Sequence, residues 1–311
     1  MIHSAPPGRA VFFLVALLAA GATASAETTS PAVTLSSQKA EGYRGIWYSN
    51  QPQEDKYRYK YSGGFATYPQ QHIPLAIYSR EANKTFFCYG GTTETASGRR
   101  QLLHMVSYYD HATGTVPRPT ILLNKQTDDA HDNPVLALDD EGYIWVFSPS
   151  HGTSRPTFIS RGTRPYSVDE FEVMPAFNFS YPQPWHIPGK GFLFLHTRYH
   201  KGRSLYWSTS SDGRTWTDGK LLARMGEGHY QISGRHGERV GTAFNYHPRP
   251  GGLNARTNLY YVETPDMGQT WRTAAGETVE PPLLTTDTIA LVHDYESEGL
   301  LVYIKDLAYD A

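Results

Sequence analysis

His131 and His151 are the residues of this chain best suited to chemistry. They stand 20 positions apart, at the two ends of one expected hairpin. Tyr181 opens the next expected inner strand and Arg198 closes its partner; Tyr246 and His247 close the partner strand one unit further on. An imidazole with a reference pKa near 6.5 takes up a proton at neutral pH. A phenol can hand a proton to a departing oxygen, or act as base where cations lower its pKa. A guanidinium neutralises a carboxylate and so stabilises an enolate-like state beside it. This set suits β-elimination from a uronate sugar. His131, His151, Tyr181 and Arg198 are the candidate catalytic residues, with His72, His229, Tyr246, His247 and Arg256 as candidate substrate-binding residues.

Each of these has a plainer reading. A histidine at a strand end is often a hydrogen-bonded structural residue. Arg198, inside an apolar run, could form a buried ion pair. Tyr181 before Pro182 could simply fix the start of a strand. The shared register is what raises the set above its members. His104, His111, His186 and His200 lie off that register and are read as surface or structural. No acidic pair stands out at matching positions, which disfavours a two-carboxylate glycosidase. Asp132 and Asp294, each following a histidine, stay open. The elimination requires no cofactor. Clustered histidines also suit a structural divalent metal, but zinc needs three or four ligands in tight geometry, and no short-spaced motif supplies them.

The elements that must position these residues repeat. Expected units start at 72, 131, 181 and 229, separated by 59, 50 and 48 residues, and their hairpins close at 151, 198 and 247, separated by 47 and 49. A fifth start at His293 would close at Lys305. Helix-period patterns are almost absent, and strand pairs between turn residues recur instead. Such a period of short strands marks propeller blades, whose first strands line a central channel. Outer strands are expected over 102–108, 157–160, 204–208 and 258–263. The fifth hairpin, from about 289 to 305, has none following it. Residues 264–271 (TPDMGQTW) fit an Asp-box turn in full, and 211–216 (SDGRTW) are one residue shorter. There the carboxylate bonds turn amides, glycine takes an unusual backbone angle and tryptophan plugs the space between strands. These turns belong on the outer rim, and no chemistry is expected of them.

Composition bounds the rest. Arg9 precedes an apolar run over 11–20, and Ala24-Ser25-Ala26 fits a cleavage site, so residues 1–26 read as a signal peptide. The run is too short for a membrane span. A linker over 27–41 and a propeller domain over 42–311 follow, and the mature protein is expected to be secreted or periplasmic. With 28 basic and 30 acidic side chains there is no excess of positive charge for phosphate contacts, which excludes an electrostatically held nucleic-acid binder. The single cysteine, Cys88, lies in a strand-like run and is expected as a buried small apolar residue. Aromatics reach 13%, with 22 tyrosines; most serve sheet packing, and a few offer flat faces to sugars.

Seven stretches carry a family resemblance: GYRGIWYSNQP (42–52), KYSGG (60–64), KTFFCYGGTT (84–93), DDAHDNP (128–134), SHGTSRP (150–156), FNYHP (244–248) and YIKDL (303–307). The region from Gly42 onward resembles the BNR-repeat family of seven-bladed β-propellers, which contains ulvan-lyase-like polysaccharide lyases and enzymes acting on rhamnose linked to glucuronate. The motif set looks closer to the rhamnose–glucuronate group. The resemblance implies an acidic polysaccharide or oligosaccharide as ligand, and a catalytic group of two histidines, a tyrosine and an arginine. The matching positions are His131 in HDNP, His151 in SHG, Tyr181 in SYP and Arg198 in TRY, with a further tyrosine at Tyr246 in NYH. It also implies that about two of seven blades are missing after Asp306. A polysaccharide lyase is the leading expectation. A sialidase-like or rhamnosidase-like glycoside hydrolase, lacking a recognisable arginine triad, and a non-catalytic carbohydrate-binding propeller are the alternatives.

Overall fold

A computed structural model describes residues 35–42 and 71–310, all within the compact unit Pro31–Ala311. The expected signal peptide and the motifs at 42–52 and 60–64, apart from Gly42, lie outside the described residues. Strand-forming runs of aromatic and β-branched residues, broken by Gly, Asp and Asn turns, build antiparallel sheets in chain order. The first is β1 (Ala76–Ser79), β2 (Lys84–Glu94), β3 (Arg100–Asp110) and β4 (Thr120–Asn124). The second is β5 (Val135–Leu138), β6 (Ile144–Ser148), β7 (Phe158–Gly162) and β8 (Phe171–Met174). The third is β9 (Ser180–Ile187), β10 (Gly191–Tyr199), β11 (Arg203–Ser210) and β12 (Lys220–Ala223). The fourth is β13 (Gln231–His236), β14 (Arg239–Tyr246), β15 (Thr257–Thr264), β16 (Trp271–Arg272) and β17 (Thr278–Val279), with β18 (Leu291–His293) on β15. The fold is an all-β propeller, and four sheets are present among the described residues.

The innermost strands meet along one axis. Leu136 N donates to Pro74 O at 3.0 Å, and Ile73 N to Pro182 O at 3.4 Å. The buried amide of Gln183 donates to Gln71 O (3.2 Å) and Gln231 O (2.9 Å), tying segments around the axis together. Because side chains alternate across a strand, each sheet feeds two apolar layers. Phe86, Cys88 and Val106 pack on Leu136, Ile144 and Val146 of the next sheet. Trp145 and Phe147 meet Phe192 and Phe194, and Leu193, Leu195 and Trp207 meet Val240, Phe244 and Tyr260. Cys88 is buried and free, as expected for a small apolar side chain.

The Asp-box turns serve these layers. Asp212 Oδ1 accepts the amides of Arg214 and Thr215, each at 2.8 Å, and Asp266 Oδ1 accepts that of Thr270 at 2.8 Å. Gly213 (φ 68°) lies so close to Trp145 of the preceding sheet that a Cβ would sit 2.4 Å from its ring. Gly268 (φ 78°) meets Trp207 in the same way. The turn glycine therefore allows one blade to close on the tryptophan of its neighbour.

Two expectations change. The fifth hairpin does not form: β18 pairs with β15, and residues 300–310 carry no strand. Val302 N donates to Arg256 O (3.0 Å) and Thr257 Oγ1 to Leu300 O (2.7 Å), so the segment satisfies its polar groups along the fourth sheet. A lone two-stranded hairpin has too little apolar face to stand alone. His293 is exposed on Glu298 (2.6 Å), Asp294 serves as a turn residue through Ser297, and Lys305 is exposed. The end of the expected linker also does more than connect. Ser36 N bonds Leu122 O (2.8 Å), Ile121 N bonds Gln38 O (2.9 Å) and Ala40 N bonds Pro119 O (2.9 Å), covering the edge of β4.

Candidate active site

The second sheet begins with a turn whose sequence, DDAHDNP, places three functional groups within four positions. Asp129 caps a 3₁₀ turn, Ala130–Asp132, by accepting His131 N at 3.0 Å. The same carboxylate holds both candidate histidines: Oδ1 meets His131 Nδ1 at 2.7 Å and Oδ2 meets His151 Nδ1 at 2.9 Å. The two rings stack, with centroids 4.0 Å apart and planes 16° from parallel. Since an ionised carboxylate only accepts, each Nδ1 carries the hydrogen, and Nε2 of each ring is the atom able to take a proton. Burial works against the Asp129 charge, yet the hydrogen bonds from His131 and His151 hold it far below the usual carboxylate range. Asp129 is thus a fixed anion that orients both rings and stabilises either as imidazolium.

Asp132 supports this pair from beneath. It is fully buried, accepts His151 N at 2.8 Å, and takes Arg155 Nε at 2.7 Å and Arg155 Nη2 at 2.8 Å. Lys125 Nζ lies 3.5 Å from it and donates to Pro156 O at 2.6 Å; burial lowers the Lys125 pKa to about 8 despite the Asp132 charge. Arg155 Nη2 also reaches Asp129 at 3.0 Å. Removing one partner of such a buried set leaves its cations uncompensated. Asp132→Ala is expected to destabilise the protein by about 3–5 kcal/mol, read from the denaturant midpoint.

Tyr181 approaches from the third sheet. It sits at a break in the β9–β10 register, between the Thr197–Ser180 and Leu195–Gln183 pairs, with φ at 48°. A bulge of this kind re-aims a side chain, and a left-handed tyrosine is strained unless its surroundings hold it. They do: Ser180 Oγ bonds Ser150 O and accepts Gly152 N (3.1 Å), clamping the His151 loop to β9. The Tyr181 ring lies 5.9 Å from His131, 6.5 Å from His151 and 5.7 Å from His72. It is 1% exposed, and burial, reinforced by Tyr230 and Tyr199, raises its pKa well above the ordinary value. Its hydroxyl meets that of Tyr199 at 3.1 Å. Tyr199 is only half-buried and packs edge-on against His151 at 5.7 Å. The Arg203 guanidinium lies 5.5 Å from both the Tyr199 and Tyr230 rings. Its Nε is buried without a hydrogen-bond partner among the described residues.

The sequence profile of a BNR repeat-containing family matches residues 85–311, more than half of the chain. The chain belongs to the BNR repeat-containing family. Two solved ulvan lyases show the same fold. One, a polysaccharide lyase bound to -[GlcA(1-4)Rha3S]-, is 18% identical with a TM-score of 0.60, covering 70% of this chain and 57% of its own. The other is 19% identical with a TM-score of 0.59 over the same shares. The BNR-repeat chain thus spans 57% of the length of each. No curated protein sequence matches it.

Within this BNR-repeat site, the structure brings His72, His131, His151 and Tyr181 together. His72 is fully buried under Tyr181, and burial, then repulsion from the neighbouring His131, lowers its pKa to about 3. Arg198 is a correction. It shares a face of β10 with Phe194 and His196, donates from Nε to His196 Nε2 at 3.2 Å, and is sandwiched between Phe177 (5.2 Å) and Tyr206 (5.1 Å). Tyr199, one position on, takes the opposite face and reaches the site. Tyr246 is a second correction: it packs in the layer between the third and fourth sheets, and its hydroxyl donates to Glu296 at 2.5 Å. His229 is a third. Its Nδ1 bonds Asn245 O (2.8 Å) and its Nε2 accepts Met225 N (2.9 Å), so both nitrogens serve backbone and the ring is structural. His247 and Arg256 lie behind Tyr230, at 5.0 Å each, and both are buried.

The off-register histidines are structural or on the surface. His104 bonds Ser148 Oγ (2.8 Å) and Asp132 O (2.7 Å) in the interior, and His186 lies 3.6 Å from Asp140. His111 (on Thr85 at 2.8 Å) and His200 are exposed. Sequence reasoning missed Asp129, Arg155, Tyr199, Tyr230 and Arg203. Asp129 had a signal, an Asp two positions before His131 at a turn. Tyr199 and Arg203 face each other as the last β10–β11 pair, one step beyond where the hairpin was expected to end. Among the described residues, Asp129, His131 and His151 form the group able to hold a divalent ion, with ligand atoms within 4.8 Å of one another. Also among the described residues, no helix is long and apolar enough to cross a membrane.

Proposed function

We propose that this chain is an exported polysaccharide lyase that cleaves beside a uronate, at a rhamnosyl–glucuronate linkage, by β-elimination. The observation that carries this reading is the stacked His131–His151 pair on one carboxylate, facing the Tyr199 and Tyr181 hydroxyls, with Arg203 against Tyr199. Arg203 takes the role assigned to Arg198 from sequence: it pairs with the uronate carboxylate and so makes the C5 proton acidic. Nε2 of the histidine pair removes that proton, and Asp129 stabilises the imidazolium. The C5–H electron pair becomes the C4–C5 double bond as the C4–O4 bond breaks. O4 takes the Tyr199 hydroxyl proton, and Tyr181 hydrogen-bonds the phenolate. The imidazolium then returns a proton to the phenolate, so no water is consumed and no metal is required.

Two further observations support the reading. The solved ulvan lyase of the same fold carries glucuronate joined to a sulfated rhamnose. Both carboxylates at the site, Asp129 and Asp132, are engaged by histidine, arginine or lysine, unlike the paired acids of a glycosidase. The test is incubation with rhamnose- and glucuronate-containing polysaccharide, following the ultraviolet absorbance of the unsaturated uronate. Arg203→Ala is expected to lower kcat/KM by about 10²–10³-fold, whereas Arg198→Ala leaves it near wild type, and chelation leaves the rate unchanged. Cleavage without that absorbance would identify a hydrolase; retained binding without cleavage would identify a carbohydrate-binding propeller.

A further inference from the structure

The β2–β3 hairpin outgrows its sheet. Both strands have 11 residues, but β1 pairs only with 84–87 and β4 only with 103–106. The tip, from Glu94 to Arg100, therefore stands beyond the neighbouring strands. It is firmly mounted nonetheless. Leu102 N donates to Thr127 O at 2.6 Å and Lys125 N to Leu102 O at 2.9 Å. Thr127 Oγ1 in turn accepts the amide of Asp129, the residue that holds the histidine pair. The tip and the proposed catalytic pair are thus joined by a short hydrogen-bonded path.

A cavity of about 530 Å³ opens along this path, lined by Arg99, Arg100, Gln101, Gln126, Thr127 and Asp128. Arg99 and Arg100 are exposed, and among the described residues neither side chain makes an ion pair or a hydrogen bond. Gln101 is already engaged, its Oε1 accepting Asn124 Nδ2 at 2.8 Å. Two guanidiniums with ten donor N–H groups in planar forks, set against Asp128 in the lining and Glu94, the cross-strand partner of Arg100, match an oxyanion.

We propose that this cavity is a glycan subsite, in which Arg99 and Arg100 bind an anionic group, sulfate or carboxylate, on a sugar flanking the one cleaved. This rests on the lyase reading of the histidine pair and extends it along the polymer. The chain would then be held by charge at two places, at Arg203 for the reacting sugar and at the hairpin tip for its neighbour.

The experiment compares wild type with the Arg99→Gln/Arg100→Gln double variant on a sulfated rhamnose–glucuronate polysaccharide and on the same polymer after desulfation. An increase in KM of about tenfold is expected, falling on KM rather than kcat, with the thermal midpoint unmoved because the tip is exposed. An increase confined to the sulfated polymer names sulfate as the ligand, and an equal increase on both names carboxylate. Affinity electrophoresis in an inactive His151→Ala background reads the subsite without turnover, so its result stands even where the lyase reading fails. Unchanged mobility and unchanged KM on both polymers would overturn the subsite.

Discussion

Replacing His151 by alanine is expected to lower kcat by about 10²–10⁴-fold, the usual share of a positioned general base. The loss should fall on kcat, because the imidazole acts in the transition state rather than on bound substrate. His131→Ala should act in the same range, since both rings hang on Asp129 and stack at 4.0 Å. The double variant should lose little more than either single one, because residues that act as a unit are not additive. Asp129→Asn keeps the shape of the carboxylate but places an NH₂ against one Nδ1–H, so one ring must change tautomer or turn. It is expected to approach the loss of a histidine variant. Steady-state rates of unsaturated-uronate formation check all four proteins. Full activity in His151→Ala would remove the histidine pair from the mechanism.

The second large effect is on stability below neutral pH. His72, His104, His196, His229 and His247 are all fully buried. Burial, the largest cause in each case, lowers their pKa values to about 3 for His72 and His196, about 4 for His229, about 2 for His247, and well below the ordinary value for His104. In the unfolded chain each would titrate near 6.5. Below that pH the unfolded state takes up protons that the folded state cannot, so stability present above pH 6.5 is lost as the pH falls toward the folded values. Each group contributes at most about 1.4 kcal/mol per pH unit. Five such groups set an upper limit of about 7 kcal/mol per unit, against a typical domain stability of about 5–15 kcal/mol. The thermal midpoint is expected to fall steeply between pH 6.5 and 5. A midpoint that stays level across that range would show that these imidazoles are protonated in the folded protein.

How far the sequence could be read depended on how many chain segments a statement spanned. The His131–His151 proximity lies within one hairpin, where counting residues out and back returns the chain to its starting level. The Asp boxes, the Cys88 burial and the start of each sheet rest likewise on local alternation and turn chemistry. Arg198 shows the limit. A register shift between Leu195 and Thr197 accompanies the bulge that carries Tyr181. The hairpin also runs one residue further than expected, so Tyr199 and Arg203 face the site and Arg198 faces His196. A single-residue displacement moves a side chain to the other face of a sheet.

By itself, then, the sequence determined an all-β repeat, the blade period and the histidine pair, because strand alternation and turn residues act over a few positions. Only the tertiary structure decided which guanidinium meets the tyrosines, that His229 serves the backbone, that the last segment lies along the fourth sheet in place of a fifth hairpin, and that Asp129 binds both imidazoles. Those outcomes depend on which blades abut and on where a bulge shifts the register, and both follow from packing between segments far apart in the chain.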